Sequence, residues 1–372
     1  MCKIKTRESC PMSQPLLKKI FLVDASAILY RAFYGLRPLS NSQGVPTQAV
    51  LGFFKTLKKV IQSYQADGIV LAWDSKKSKR KEVYANYKAK RQAPPDELLS
   101  QREYIIKIAK AMGLCQIEEE GIEADDLLGC LAKKMKNKAE VYIVTSDKDL
   151  LQLVQPGVWV LDPAKWLVLD SVQVVEKFGF GPEKIQFYHS LLGDASDGIP
   201  GVTGIGAKGA TKLVQQFDSL ENLYQNLGTV QPERLRKLLE AGREQAFLSY
   251  QLFALFDDCA TQVGIAQAKF KKSCWESPQA QALFHELELK TFYASAQTVV
   301  KVDVPPPGYT NILVNTKSKL DDMLKCFDGA KVVAVDTETS GLAWTDCKMV
   351  GVSLACDAKT GFYLPFGHIS LG

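Results

Sequence analysis

The sequence predicts an α/β protein: a mostly parallel central sheet with helices on both faces, then a helical region, then a short, incomplete α/β segment. Three observations carry this reading. Over residues 18–172, short apolar runs that end in an aspartate alternate with stretches of helical periodicity. From residue 173 the strand signal fades into short helices around a Gly-rich stretch at 198–209. Strand-like text returns only after Val304-Pro305-Pro306-Pro307-Gly308, the clearest linker in the chain.

Taken in order, residues 1–17 read as a polar, basic tail in which Met12 is an alternative start to Met1. Ile20-Phe21-Leu22-Val23 is a buried strand ending at Asp24. Residues 47–64 place Val50, Phe53, Leu57, Val60, Ile61 and Tyr64 at helical spacing, with lysines between them. A second strand over 68–73 ends at Asp74. Residues 97–112 form a helix closed by Gly113, and another helix follows Gly121 with Leu127, Leu128, Leu131 and Met135 on its apolar face. The strand over 141–144 runs into Thr145-Ser146-Asp147, and residues 158–161 make a further strand. Past the linker, the strands at 312–314 and 332–335 belong to the third segment, residues 309–372.

Composition narrows the function. The chain's 372 residues allow two or three domains. No apolar run approaches the ~18 residues of a membrane span, and no signal-peptide block opens the chain. Nine cysteines without a CxxC pair argue against a zinc ribbon or a disulfide framework and fit a reducing cytosol. Three histidines argue against a His-ligated metal or a Ser-His-Asp hydrolase. The net charge of +5 says less than where the charges cluster.

The strongest signal is acids at strand ends and helix starts. Asp24 follows IFLV, Asp74 follows IVLAW, and Asp147 and Asp149 follow VYIVTS. Glu123, Asp125 and Asp126 open a helix in GIEADD, where Glu123 and Asp126 share a face. Asp194 and Asp197 lie in GDASDG. Ligands of an open parallel sheet bind beyond the carboxyl ends of its strands, so the strand-end acids converge on one edge. Any one of them reads more simply as a turn or N-cap residue. For the whole set that reading fails on energy. Two like charges ~4 Å apart repel by roughly 4 kcal/mol at an effective dielectric of ~20, so a convergent cluster needs bound cations. Carboxylates without histidine or thiolate select Mg²⁺ or Mn²⁺. Such sites serve phosphate chemistry, often with two ions ~4 Å apart.

Two basic features accompany the acids. Residues 76–91, KKSKRKEVYANYKAKR, hold eight Lys/Arg and one acid, with Tyr84 and Tyr87 interleaved. A charge run is usually a solvated helix face. Beside an acidic metal cluster it reads as a phosphate-backbone grip, with tyrosines to stack on unpaired bases. The stretch Ile199 to Lys208, IPGVTGIGAK, follows the Asp194/Asp197 pair. Its glycines let backbone N–H groups and a helix N-terminus approach a phosphate. A dinucleotide fold would need a strand before it and an acid after it, and neither is present.

In chain order, the motifs LVDAS, WDSKK, RKEVYANYKAKR, GIEADDLLG, TSDKDLLQL, LLGDASDGIPGVTGIGAKGA and LSYQL resemble one known domain from about Ile20 to Ser295. It is the 5′-nuclease domain that opens bacterial DNA polymerases I, a branch of the flap-endonuclease family. The resemblance implies a PIN-like fold over 18–172, with a helical arch near 76–105, and a helix-hairpin-helix domain over 173–295. It implies that Asp24, Asp74, Glu123, Asp125 and Asp126 form one group of metal-site acids and Asp147, Asp149, Asp194 and Asp197 a second, together holding two Mg²⁺. Arg80, Tyr87, Lys88 and Arg91 match arch residues that grip the displaced 5′ strand, with Lys88 and Arg80 neutralising charge on the phosphate. Gly201, Gly204, Gly206 and Lys208 match the hairpin that holds duplex backbone. The family's hairpin can also hold K⁺ through carbonyls, here those of Val202 and Ile205.

Residues 309–372 resemble the start of the 3′–5′ exonuclease domain that follows in such polymerases. VDTETSGL supplies Asp336 and Glu338 as its first motif, while its later acids and all polymerase motifs are absent. The chain therefore reads as an N-terminal fragment with residues 296–308 as linker. Ala25 stands where the family usually has Gly, Gly198 where it has Asn, and Gly209 where it has Thr; the basic stretch is one residue short after Asp74. The expected loosening falls on the second acid group and the hairpin. The implied function is a Mg²⁺-dependent 5′–3′ exonuclease and flap endonuclease, a cytosolic monomer acting on DNA with 5′ flaps, nicks or RNA primers in replication and repair. The alternative is a non-catalytic DNA-junction scaffold of the same fold. Loss of acids would mark it, and all nine are present.

Overall fold

The computed structural model describes residues 18–256, 259–293, 310–340 and 348–366. The chain divides into two compact units, one ending at Tyr293 and one beginning after it. The basic tail 1–17 and the linker 296–308 lie outside the described residues.

The first unit is built on six strands: β1 (Lys19–Asp24), β2 (Gly68–Ala72), β3 (Cys115–Ile117), β4 (Glu140–Val144), β5 (Val158–Asp162) and β6 (Leu167–Leu169). Their order is β3-β2-β1-β4-β5-β6, parallel throughout except for β6. Helices α1 (Ala25–Gly35), α2 (Gln48–Ser63), α3 (Arg80–Val83), α4 (Asp96–Ala111) and α5 (Ala124–Met135) fall between the strands. After β6 come α6 (Ser171–Phe178), α7 (Ile185–Leu192), α8 (Ala207–Gln216), α9 (Leu220–Gln225), α10 (Glu233–Ala241), α11 (Arg243–Phe253), α12 (Ile265–Ala268) and α13 (Pro278–Glu286).

The apolar run of β1 has no polar alternation because both of its faces are covered. Ile20 and Leu22 join a cluster with Leu127, Leu128 and Leu131 of α5, while Phe21 and Val23 join Val50, Phe53 and Leu57 of α2 on the other side. The chain runs from β1 outward through β2 and β3, then crosses to β4 on the opposite side of β1. The order reverses beside β1, and that reversal opens a crevice at the carboxyl ends of β1, β2 and β4.

The helical stretch is not a separate core. Leu213, Val214, Leu220 and Leu223 belong to the same buried cluster as Leu22 and Val141. The chain then returns to the sheet, where Phe284 and Leu287 pack with Phe54 in the cluster on the other face. The expected boundary at 172/173 falls inside α6, within the first unit. The arch expected near 76–105 is helical only at α3 and at the start of α4. Between them Lys88 has a positive φ of 54° and Pro94 and Pro95 remove backbone donors, so no helix can run through.

The second unit holds β7 (Thr310–Leu313), α14 (Lys317–Phe327), β8 (Ala334–Thr339), β9 (Met349–Ala355) and β10 (Thr360–Pro365). Its sheet has the order β7-β10-β9-β8, with a small core of Val314, Met323 and Phe362. β8 is exposed along its length, and Asp336 and Glu338 on it both face solvent. Among the described residues no helix is long and apolar enough to cross a membrane.

Candidate active site

A cleft of about 950 Å³ opens at the carboxyl edge of the sheet. Seven of the nine predicted acids line it: Asp24, Asp74, Glu123, Asp125, Asp147, Asp149 and Asp197. No histidine or cysteine does.

Each acid is placed by local backbone needs. Asp24 ends β1 and caps α1, its Oδ1 accepting from the Ala27 N–H at 2.9 Å. Its Oδ2 accepts from the Thr145 hydroxyl at 2.9 Å, which ties β1 to the loop after β4. Thr145 Oγ1 in turn accepts from the Asp147 N–H at 3.0 Å, and Asp147 Oδ1 accepts from the Asp149 N–H at 2.9 Å. Asp74 leaves β2 with its N–H on the Ser26 hydroxyl, and its Oδ1 accepts from the Ala124 N–H at the start of α5, both at 2.9 Å.

The acids repel one another. Burial, then the charges of Asp74 and Asp147, push Asp24 up to about 7 despite its two hydrogen bonds. Burial and the charges of Asp147, Asp194 and Asp197 push Asp149 up to about 8. Asp125 is raised well above the carboxylate range by burial and by Asp24, Asp147 and Asp74. Among the described residues no three acids stand as a closed cage around one ion. The donor set still fits a hard cation, because Mg²⁺ keeps several waters and takes only one or two carboxylates directly.

Two predicted ligands are differently engaged. Asp126 is 0% exposed and holds Arg80 in a bidentate pair, both contacts at 2.7 Å, while its Oδ1 also accepts from the Phe256 N–H at 2.9 Å. Its oxygens are taken up by protein donors, so it is corrected from a metal ligand to an anchor. Asp194 does not line the cleft; its Oδ1 accepts from the N–H and hydroxyl of Ser196, each at 2.7 Å, and shapes the loop that presents Asp197.

The basic residues need the same sorting. Arg80 is buried, and it also donates to the carbonyls of Leu252 at 2.9 Å and Ala254 at 2.8 Å. Burial lowers its pKa, but Asp126 and Glu123 outweigh this and raise it. Having spent its donors on protein, Arg80 joins α3, α5 and the end of α11 instead of meeting a phosphate. Lys88 is the freer cation: its Nζ stands 2.8 Å from Glu123 Oε2 and 3.9 Å from Asp197. Burial pushes Glu123 up, yet Lys88 and Arg80 bring it below the usual carboxylate range. Arg91 is exposed and paired with Asp197.

The interleaved tyrosines are corrected too. Tyr87 is 3% exposed, packs with Ile199, Leu252 and Phe253, and donates its hydroxyl to Glu123 at 2.9 Å. Tyr84 is half-buried against the same cluster. Neither presents a free ring to a base. Tyr30 and Tyr34 do: they are 41% and 67% exposed, line the cleft, and lie side by side with ring centroids 6.3 Å apart. Their spacing of four on the helix after the first strand-end acid is the signal that sequence reading passed over.

In the Gly-rich stretch, Gly201 and Gly204 adopt positive φ of 59° and 88°, and Gly206 precedes α8, with Lys208 exposed in its first turn. The carbonyl of Val202 accepts from the Ile205 N–H at 3.0 Å. Gly198 answers a close approach: its φ is +71°, and a Cβ there would stand 2.7 Å from the Asn86 carbonyl oxygen. The glycine therefore tightens the second acid group against the 84–91 segment, where Lys88 N–H donates to the Asp197 carbonyl at 2.8 Å. Gly209 meets no such demand; a Cβ would make only an ordinary contact of 3.5 Å with Ile205.

Residues 19–179 match the N-terminal resolvase-like domain of 5′–3′ exonucleases, and residues 180–276 match their C-terminal SAM fold. A 5′–3′ exonuclease of Aquifex aeolicus is 34% identical over 287 residues, covering 77% of this chain and 97% of that protein. The chain belongs to the 5′–3′ exonuclease family. A DNA polymerase I of Borreliella burgdorferi is 33% identical over 376 residues, covering 94% of this chain and 41% of the polymerase. The chain thus spans about two fifths of the length of that relative. The bacteriophage T5 flap endonuclease, solved in complex with DNA and metal ions, has the same fold at 18% identity, with a TM-score of 0.55 over 73% of this chain and 97% of that one. The sheet and helical region of this family member therefore have the PIN-like and SAM-like folds, and the family is one of 5′–3′ exonucleases.

Proposed function

We propose that this 5′–3′ exonuclease family member is a Mg²⁺-dependent, structure-specific nuclease that hydrolyses phosphodiesters at 5′ flaps, nicks and RNA-primer ends. The observation that supports it best is the cleft itself: seven carboxylates at the sheet's switch point without a soft ligand, among which Asp24, Asp125 and Asp149 are pushed up by burial and by their acidic neighbours. Asp24, Asp74, Asp125, Asp147, Asp149 and Asp197 would hold two divalent ions, Mn²⁺ being the alternative. Bound there, the ions supply Lewis-acid stabilisation and an activated water for phosphodiester hydrolysis. The flap endonuclease of bacteriophage T5 was solved with DNA and metal ions, which agrees with this reading.

The chain's own residues do the rest. Lys88 exchanges its contact with Glu123 for a phosphate oxygen and neutralises developing charge. Arg80, held by Asp126, keeps the α5 acids in register with the 84–91 segment. Tyr30 and Tyr34 offer stacking surface to unpaired bases at the mouth of the cleft, and Arg91 draws in the displaced strand. Gly201 to Lys208 carries duplex backbone at the start of α8, with K⁺ held by the carbonyls of Val202 and Ile205. The protein works as a cytosolic monomer within a DNA polymerase I in replication and repair. Asp336 and Glu338 add no 3′–5′ exonuclease activity to these 372 residues. The test is cleavage of an end-labelled 5′-flap duplex with and without Mg²⁺; flap binding without any cleavage in Mg²⁺ or Mn²⁺ would favour the junction-scaffold alternative.

A further inference from the structure

We propose that His189 is a positioning residue for Asp149: from behind the cleft its imidazole holds one carboxylate oxygen and leaves the other to a divalent ion. The inference rests on the metal-dependent nuclease reading and deepens it at one acid.

His189 lies on α7 and does not line the cleft. Its Nε2 stands 3.4 Å from Asp149 Oδ1. That nitrogen is buried and has no hydrogen-bond partner among the described residues. A buried polar atom without a partner is costly, so its orientation needs a reason. Burial lowers the imidazole pKa, so the ring is neutral and meets Asp149 as a hydrogen-bond donor rather than as a charge. The separation is roughly 0.5 Å longer than a charge-assisted hydrogen bond.

Both partners are fixed from outside the contact. Phe253 of α11 lies against the imidazole with ring centroids 5.3 Å apart, and Tyr188 meets it edge-on at 5.1 Å. Asp149 opens a 3-10 turn, its N–H donates to Asp147 Oδ1 at 2.9 Å, and its carbonyl accepts from Gln152 Nε2 at 2.9 Å. The backbone of Asp149 is thus held, and His189 is a donor set against its carboxylate. As a metal-bound carboxylate Asp149 accepts more strongly, and a small shift closes the gap. Outer partners of this kind orient the ligand, and their loss costs about 10–100-fold in metal affinity. His189 also ties the acids to the helical region, because α7 carries the imidazole and α11 the ring that wedges it.

The experiment uses the full chain with His189→Leu and His189→Gln. Mn²⁺ binding is measured without DNA by titration calorimetry, and the Mg²⁺ dependence of single-turnover flap cleavage is measured alongside. The leucine variant should bind Mn²⁺ about 10–100-fold more weakly and need correspondingly more Mg²⁺ for half-maximal cleavage. The glutamine variant, whose amide donates from a similar reach, should recover most of the affinity. The metal-free urea midpoint of the leucine variant should stay near that of wild type, because Nε2 has no partner there to lose. Wild-type Mn²⁺ affinity in the leucine variant would overturn the inference, as would weak binding that glutamine does not restore. In the wild-type chain with ¹⁵N-labelled histidine, Mg²⁺ should shift one of the three imidazole signals, the one missing from His189→Gln. No Mg²⁺-linked shift in any of them would overturn the inference even if neither variant folds. If the wild-type chain binds Mn²⁺ but cuts no flap, the nuclease reading has failed, and the Mn²⁺ affinities still decide the role of His189.

Discussion

Replacing Arg80 with alanine separates its two candidate roles. Sequence places Arg80 on the phosphate; the structure places it on Asp126, on Glu123 and on the carbonyls of Leu252 and Ala254. Without it, a carboxylate that is 0% exposed loses a bidentate partner at 2.7 Å. Removing one member of such a buried pair costs about 3–5 kcal/mol, because the other charge stays in a poor environment. Against a total stability of roughly 5–15 kcal/mol that is a large fraction. At about 3 kcal/mol per molar urea the unfolding midpoint should fall by about 1–1.7 M. Circular dichroism during urea unfolding measures it. The pair Arg80→Met/Asp126→Leu removes both charges and should recover most of the loss. An Arg80→Ala variant that unfolds within about 1 kcal/mol of wild type, yet cuts flaps orders of magnitude more slowly, would refute the anchoring role and return Arg80 to the phosphate.

The remaining predictions concern the cleft and its rim. Asp24 and Asp149 have native pKa values of about 7 and 8, above their unfolded value of 3.8, so the metal-free native state binds more protons between these limits. Its stability should therefore fall as pH rises from about 4 to about 8. Mg²⁺ should raise the melting temperature more at pH 8 than at pH 5, and a shift independent of pH would count against the crowding. Gly198→Ala places a Cβ 2.7 Å from the Asn86 carbonyl oxygen at a φ of +71°. It should cost about 1–3 kcal/mol and lower turnover more than duplex binding, because Lys88 loses its seat; unchanged single-turnover rates would contradict this. Tyr34→Ala should leave stability alone, since the ring is 67% exposed, and weaken flap binding by about 1–3 kcal/mol. Equal affinity of wild type and variant for a flapped duplex would exclude the stacking role.

What the sequence made legible was set by period and by position. Apolar runs ending in aspartate located β1, β2 and β4, and parallel-sheet geometry then placed Asp24, Asp74 and Asp147 at one edge without any knowledge of side chains. The helices over 48–63 and 124–135 were legible because one face of each is buried. Three-residue strands such as β3 and β6 were not, since so few residues carry no period. Side-chain partnership was the other blind spot. Spacing puts Glu123 and Asp126 on one face, but only the packing of α3 against α5 shows Arg80 consuming Asp126 while Lys88 takes Glu123. Likewise, interleaving with lysines made Tyr84 and Tyr87 look like stacking residues. Their rings are instead claimed by Ile199, Leu252 and Phe253, which are distant in sequence.

The central claim is that the acids of this cleft hold divalent ions for hydrolysis at 5′ ends. Asp74→Ala tests it most directly. Asp74 is exposed, and losing its one hydrogen bond from the Ala124 N–H at 2.9 Å should cost only about 1 kcal/mol, so the fold should survive the substitution. The measurement is single-turnover cleavage of an end-labelled 5′-flap duplex in Mg²⁺, with flap affinity measured alongside. Loss of cleavage with flap affinity largely kept is the predicted result. Cleavage by Asp74→Ala at near wild-type rate would contradict the metal assignment and the function built on it.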